Sequence, residues 1–242
     1  MIRKPNFRLN WKYALGEVAL IFIGISLAIW FQNWNEDRKQ SIEAKAIIER
    51  LLFEVRENKS SIEYEFDQLD STLMHVQALL QLSGPNYAQY DPILIDSLIF
   101  RSLAGPKATI GNGTLLEGIN SGKVSLIQSD SLRSLLYGWP KMVEDMQSTE
   151  QFADRDNATA LFPFLYDEFS FRQMDSSFGP AKDKIGKSNN PYTDNRKVLS
   201  MRKFENIMDN KFYVYDALRT EYLGLINYLS RVEEGLFKEV EK

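Results

Sequence analysis

The feature that most constrains this chain is a long stretch near its start that lacks both charge and helix breakers. Residues 18–31 carry no charged side chain, and no proline or glycine occurs between Ile25 and Ser83. With its flanks the apolar run has roughly 20 residues, and at ~1.5 Å per residue a helix of that length crosses a hydrocarbon layer about 30 Å thick. We therefore predict a transmembrane helix over residues 13–34.

Two other interpretations of the apolar run remain open. It could form a buried core helix of a soluble domain, or it could be a cleaved signal peptide. Ser26-Leu27-Ala28 resembles a cleavage site, but the apolar run continues through Phe31.

Aromatic and polar side chains close both ends of the run, as they do where membrane helices meet lipid headgroups. The predicted interfacial anchor residues are Trp11, Tyr13, Trp30, Asn33, Trp34, Asn35 and Glu36. Soluble core helices seldom carry aromatic residues at both ends in this way, which favours the membrane interpretation.

The distribution of basic residues predicts the orientation of the span. The basic side chains that precede it are Arg3, Lys4, Arg8 and Lys12. Residues 33–47 hold equal numbers of basic and acidic side chains. Because positive flanks stay in the cytoplasm, we expect residues 1–12 to be a short cytoplasmic segment and residues 35–242 to lie on the far side. So short a segment cannot fold into an output domain, so a signal to the cytoplasm would need another membrane protein.

Glu17 is the one charge inside the predicted span, one turn from its start. Gly24 and Ala28 follow at steps of seven and four residues, which places all three on one helix face. Small residues spaced by four let two membrane helices approach closely, and a carboxyl group beside them can form a hydrogen bond across the contact. The face therefore indicates assembly with a copy or a partner. Alternatively, Glu17 reaches the headgroups and the small residues are incidental.

The remainder of the chain also has the periodicity of helices, which predicts an all-α fold. Ile48, Leu51, Val55 and Ile62 begin an apolar seam that continues to Leu80, before Gly84-Pro85 ends the helix. Shorter helices are expected over 92–103, from a Thr114 cap to residue 119, and from Ser129 or Asp130 to about residue 169, with kinks at Pro140 and Pro163. The seam of the last helix comprises Tyr215, Leu218, Tyr222, Leu225, Leu229, Val232 and Leu236. It should pair with the first helix in an antiparallel bundle. The polar segment 175–200 predicts a mobile loop.

Composition excludes several classes of function. The net charge is −4, so the chain is a poor partner for nucleic acid phosphates. There is no cysteine and only one histidine, His75, so we expect no disulfide, metal site or cofactor. No nucleophile, base and orienting group occur in a recognisable pattern, so we predict that the protein is not an enzyme. An aromatic group of Phe162, Phe164, Tyr166 and Phe169 suits either a core or a ligand cage.

Two stretches carry a resemblance to a known family. They are residues 13–36, with "YALGE", "IGISLA" and "NWNE", and residues 115–136, with a Ser-Gly turn at Ser121-Gly122. The chain resembles a family of single-span envelope proteins of Bacteroidota-type bacteria whose domain has no known function. The resemblance implies an inner-membrane anchor, a periplasmic helical domain and interest in Gly16, Glu17, the Asn-Trp-Asn-Glu segment, Ser121 and Gly122. Phe31-Gln32 departs from the family, which often has a further Asn there.

Together these observations predict a membrane-anchored helical interaction module. It would be oligomeric or an accessory subunit of an inner-membrane complex, through the Glu17, Gly24 and Ala28 face continuing into the apolar seam of the long helix. Its partners would be membrane lipid and either a second copy or another integral membrane protein. The alternative is a periplasmic sensor of a small ligand that acts through a partner membrane protein, with the aromatic group and the 175–200 segment at its site.

Overall fold

The computed structural model describes residues 11–241, without the side chains of residues 12–14. Helix makes up 84% of the structure and the described residues contain no strand, which confirms the all-α fold. The predicted cytoplasmic segment, residues 1–12, lies outside the described residues apart from Trp11 and the backbone of Lys12. The predicted anchor side chain of Tyr13 also lies outside them.

The first helix, α1, runs without a break over Trp11–Leu82, 72 residues. At ~1.5 Å per residue it is about 108 Å long. It is uninterrupted because no helix breaker lies between Ile25 and Ser83. It ends where Gly84 adopts a φ of 148°, a backbone conformation that side chains disfavour, and Pro85 follows.

Seven further helices follow α1 in the described part of the chain. They are α2 Pro92–Ser102, α3 Gly113–Asn120, α4 Asp130–Asp156, α5 Phe162–Glu168, α6 Phe171–Phe178, α7 Lys182–Ile185 and α8 Arg202–Val240. Short 3₁₀ turns occupy Tyr87–Gln89, Lys123–Leu126 and Asn195–Ser200, and a π-helical turn occupies Asn157–Leu161.

The helices α2 and α4 begin at the residues predicted from the sequence, and the predicted cap of α3 is wrong. Asp91 accepts a hydrogen bond from the Ile93 amide and caps α2, and Ser129 caps α4. The prediction that Thr114 caps α3 is wrong, because α3 begins at Gly113 without a side-chain cap of its own. Instead Glu54 of α1 accepts from the amides of Thr114, at 2.7 Å, and Leu115, at 3.1 Å.

The helical path from α4 to α5 is continuous, and its irregularity lies before the second proline. Pro140 lies inside α4. Pro163 follows the π-helical turn, in which the Phe162 amide donates to the Asn157 carbonyl. A proline ring collides with the carbonyl four residues earlier in a regular α-helix, so a wider turn here accommodates it.

The helices α1 and α8 pack side by side in opposite directions. Arg56 pairs with Glu233, and Asp70, further along α1, pairs with Arg219, earlier on α8. The seam of α1 from Ile48 to Val76 is buried in this contact and against the shorter helices. The apolar repeat of α1 therefore packs within its own chain.

Two apolar cores follow one another along the α1–α8 pair. The proximal core, nearer the apolar end of α1, contains α1 residues from Ile47 to Leu73 and α8 residues from Tyr215 to Leu236, with α3 and α4. The distal core contains Val76, Leu79, α2, α5, α6 and the first turns of α8.

The segment predicted to be a mobile loop has more structure than its polar composition suggested. It includes the end of α6, the short helix α7 and a 3₁₀ turn. Asn195, Val198 and Leu199 in that turn are buried. Asn195 accepts a hydrogen bond from the Ser170 amide and donates one to buried Asp96, which holds the end of the segment against α2.

Leu218 lies at the centre of the proximal core and is fully buried, whereas Leu223 on the same helix is 44% exposed. We expect Leu218→Ala to lower the free energy of unfolding by about 2–5 kcal/mol, because it leaves a cavity. Leu223→Ala is the matched control and should change it by less than about 0.5 kcal/mol. Denaturant unfolding of the purified chain measures both, and equal effects would contradict the assigned core.

Candidate functional site

The first part of α1 buries none of its described side chains. Residues 15–43 are all exposed, and the first buried side chain on α1 is Ile47. The apolar part has a mean hydropathy of 1.8, so α1 is long and apolar enough to cross a membrane. Any partner for this surface must therefore come from outside the described residues.

The predicted assembly residues are accessible on this free part of α1. Glu17 and Ala28 are exposed, and a Cβ atom added at Gly24 would have no atom within 4 Å apart from its chain neighbours and the nearby backbone of its own helix. At ~100° per residue the three positions lie within about 40° of one another around the helix. The helix therefore presents them as one narrow face.

The sequence analysis expected this face to continue into the apolar seam, and it does not. Leu51, Ile62 and Leu69 of the seam lie about 160° or more around α1 from Glu17. Those side chains are buried within the chain. The expectation of one continuous face is wrong because the two patterns have different phases on the same helix.

The predicted interfacial residues other than Tyr13 lie on the exposed surface of α1. Trp11, Trp30 and Trp34 are 72%, 64% and 48% exposed. The rings of Phe31 and Trp34 lie 5.8 Å apart, and the Arg38 guanidinium lies 6.0 Å from the Trp34 ring. Asn33, Asn35 and Glu36 are exposed beside them.

Ser121 and Gly122 form the turn that links α3 to the following 3₁₀ turn. The Ser121 amide donates to Glu117 and the Gly122 amide to Ile119. Gly122 has a φ of 74°, which favours glycine. These residues therefore shape the end of α3 through their backbone.

The predicted aromatic ligand cluster is divided between core and surface. Phe164 and Phe169 are buried, and the Phe164 ring lies 6.0 Å from that of Phe204 in the distal core. Tyr166 is 71% exposed and Phe162 is half-buried. Core packing accounts for two of the four rings.

A buried lysine, which the sequence analysis missed, lies between the two cores. Lys211 of α8 is 1% exposed. Its Nζ donates to Asn157 Oδ1 at 2.9 Å and to the Tyr215 hydroxyl at 2.8 Å. Asn157 Nδ2 also donates to the Tyr215 hydroxyl, which donates in turn to the Ala104 carbonyl. We call Lys211, Asn157 and Tyr215 the lysine layer.

A buried carboxyl group lies about two turns away from this layer along α4 and α8. Glu150 of α4 accepts from the Ala108 amide at 2.9 Å and from the Tyr222 hydroxyl. Burial raises the pKa of Glu150, while its hydrogen bonds from Tyr222 and Ala108 oppose the shift. These bonds tie the loop before α3 to both α4 and α8.

The lysine layer is closed to solvent, which limits its chemistry. Burial lowers the pKa of Lys211 to about 7, and the charges of Asp156 and Asp154 oppose that shift. Burial also raises the pKa of Tyr215 to about 12. Because Lys211 is buried, its Nζ contacts only groups of the protein in this structure.

The sequence contained a signal for this layer. Lys211 falls four residues before Tyr215 and three after Met208, so it occupies a seam position of α8 that is otherwise apolar. A lone lysine in such a position is either excluded from the core or held there by polar partners. Asn157, far away in sequence, is the partner that could not be read from this pattern.

The described residues contain no cluster of three or more acidic, histidine or cysteine side chains that could hold a metal ion. No family model, no curated protein and no solved structure matches the chain. Its function is therefore argued from its own residues.

The lysine layer predicts an unusual dependence of stability on pH. Between pH 7 and 9 the unfolded chain keeps Lys211 protonated while the folded chain releases the proton, so the free energy of unfolding should rise with pH. One such group contributes at most about 1.4 kcal/mol per pH unit. Lys211→Met should remove this part of the slope, whereas substitution of exposed Lys187 should retain it. Chemical unfolding at several pH values measures the slopes, and an unchanged slope in Lys211→Met would contradict the assignment.

Proposed function

We propose that this protein is a membrane-anchored helical interaction module of the bacterial inner membrane. The single observation that carries the proposal is the free part of α1, residues 15–43, whose apolar surface has no cover within the described chain. Leu20 and Phe22, for example, are 72% and 71% exposed. Exposed apolar area costs ~25 cal/mol per Å² in water, so a lipid layer is the environment that suits this segment.

In this proposal residues 13–34 span the membrane with the N-terminus in the cytoplasm, and the helical body lies in the periplasm. The basic residues before the span and the aromatic residues at its ends support this orientation. The resemblance to single-span envelope proteins of Bacteroidota-type bacteria also supports it.

A stalk separates the lipid from the folded body. Residues 35–43 continue α1 as an exposed helix about 14 Å long, before half-buried Ala44 and buried Ile47 begin the body. This spacing leaves α1 accessible just above the proposed headgroup level. An interaction module needs such access, because its partner must reach the helix that leaves the membrane.

The Glu17, Gly24 and Ala28 face is the proposed contact within the membrane. Its partner is another copy or another integral membrane protein, either of which could form close helix contacts at the two small residues. Glu17 lies where its carboxyl group could form a hydrogen bond to such a partner.

A groove favours the alternative function, a small-ligand sensor. It has a volume of about 560 Å³ and lies between α1, α2 and α6. Phe100, Phe171 and Met174 provide apolar walls, and Arg101 and Asp175 provide charges. If a ligand binds, this groove rather than the predicted aromatic cluster is where we place it.

The proposed topology predicts which cysteines react from outside the cell. The chain has no native cysteine, so Ser188→Cys, at a half-buried position between exposed Lys187 and Asn189, and Asn6→Cys each provide a single label site. In intact spheroplasts a membrane-impermeant thiol reagent should label Ser188→Cys and spare Asn6→Cys until the membrane is opened. The reverse pattern, or recovery of the chain without detergent, would contradict the proposal.

Substitutions on the membrane face should change assembly without preventing insertion. Gly24→Ile should abolish most chemical cross-linking within membranes because the added side chain holds helices apart. Gly16→Ile adds the same side chain about 80° away from Gly24 around the helix and is the matched control. Glu17→Gln should keep insertion and alter the cross-linking pattern. If Gly24→Ile and Glu17→Gln both behave like the parent, the face has no role in assembly.

A further inference from the structure

Three large apolar side chains remain exposed along α1 beyond the apolar segment. Ile42, Phe53 and Tyr64 are 60%, 68% and 61% exposed. They are separated by 11 residues each. Since 11 residues make about three helical turns, the three side chains form one straight line along α1. We call this line the outer stripe.

The outer stripe continues the membrane face of Glu17, Gly24 and Ala28. From Glu17 the steps through Gly24, Ala28, Asn35 and the outer stripe are 7, 4, 7, 7, 11 and 11 residues. These steps add up to about 13 helical turns at about 3.6 residues per turn. The seven positions from Glu17 to Tyr64 therefore lie within about 40° of one another around the helix. A single straight face therefore runs along most of α1, opposite the buried seam.

The folded body borders this face and leaves it open. On one side Arg50 forms a bidentate pair with Glu117 of α3, with distances of 2.7 and 2.9 Å. On the other side Arg56 binds Glu233 of α8 at 2.8 Å. Phe53 lies between these two ion pairs, exposed, as an apolar side chain surrounded by charged groups.

We propose that this face binds a second copy of the same chain, with the two α1 helices parallel and in register. This inference rests on the proposed membrane anchor. The membrane gives all anchored copies the same direction and depth, so each residue of the face meets its own counterpart. Gly24 then lies opposite Gly24, and Phe53 opposite Phe53.

The charges around Phe53 complement a second copy. Glu49 and Arg56 lie on one flank of the face, and Arg50 and Glu57 lie on the other. In a parallel two-fold pair, opposite flanks of the two copies meet. Glu49 therefore comes near Arg50 of the second copy, and Arg56 near Glu57 of the second copy.

The side chains needed for these contacts are available. Glu49 and Glu57 are exposed and form no ion pair within the described chain. Arg50 and Arg56 are already held at the edges of the face by Glu117 and Glu233. This charge complementarity is confined to the part of the face around Phe53. Near Ile42 the corresponding flank positions are Arg38 and Lys39, which are both basic.

Single cysteines test the register directly, because the parent chain has none. Ile42→Cys and Tyr64→Cys lie on the face, whereas Glu43→Cys and Glu63→Cys lie at nearly the same height about 100° away, and all four positions are exposed. Mild oxidation of the full-length protein in membranes should give disulfide-linked dimers for the first two and little for the controls. Equal cross-linking in all four variants, or none in the first two, overturns the proposal.

A charge reversal tests the contact around Phe53. Glu57→Lys should greatly reduce the disulfide dimer of Tyr64→Cys, because the introduced ammonium group would face Arg56 of the second copy. Glu63→Lys reverses an acidic residue off the face and should leave the dimer unchanged. If both reversals leave the dimer intact, the proposed flank contacts are wrong.

These results are distinguishable from failure of the proposed function. A chain that stays in the membrane fraction but gives no face-specific disulfide retains the anchor and loses only the self-association. A chain that is soluble without detergent removes the anchor, and the register argument with it.

Discussion

The uninterrupted course of α1 is the constraint on which the rest of the structure depends. Because one helix runs from Trp11 to Leu82, the apolar segment and the folded body have a fixed rotation relative to each other. Each residue inserted or deleted between them would turn one against the other by ~100°. The alignment of Gly24 with Phe53, and the opposite placement of Ile62, both follow from this one continuous helix.

Within the body, the lysine layer separates two apolar cores and demands one arrangement of the helices. Apolar side chains tolerate small shifts, but Lys211, Asn157 and Tyr215 satisfy one another only in the observed register. Leaving a buried polar group without a partner costs more free energy than a hydrogen bond contributes. A shift of α8 that separated these three groups would therefore destabilise the fold. The layer therefore specifies how α8 sits against α4, while the cores supply cohesion.

Much of the fold could be predicted because its signals are local. Asp91 and Ser129 cap the helices that follow them, and Gly84 with Pro85 ends α1. The predicted Thr114 cap was wrong because the carboxylate that caps α3 comes from Glu54, on another helix. The sequence left the aromatic group open between a core and a ligand cage, because rings such as Phe164 and Tyr166, two residues apart, lie in different environments on a helix.

The sequence by itself determined the all-α class and the apolar segment of α1, because helix periodicity and hydropathy are properties of neighbouring residues. It left open whether α1 continues without a break beyond the apolar segment, which the structure shows. Only the tertiary structure decided that the seam of α1 is occupied by its own α8, and that the face of Glu17, Gly24 and Ala28 lies on the other side. It also decided that Lys211 is buried beside Asn157. These outcomes depend on which distant residues meet, and a pattern along one helix specifies a face without specifying what covers it.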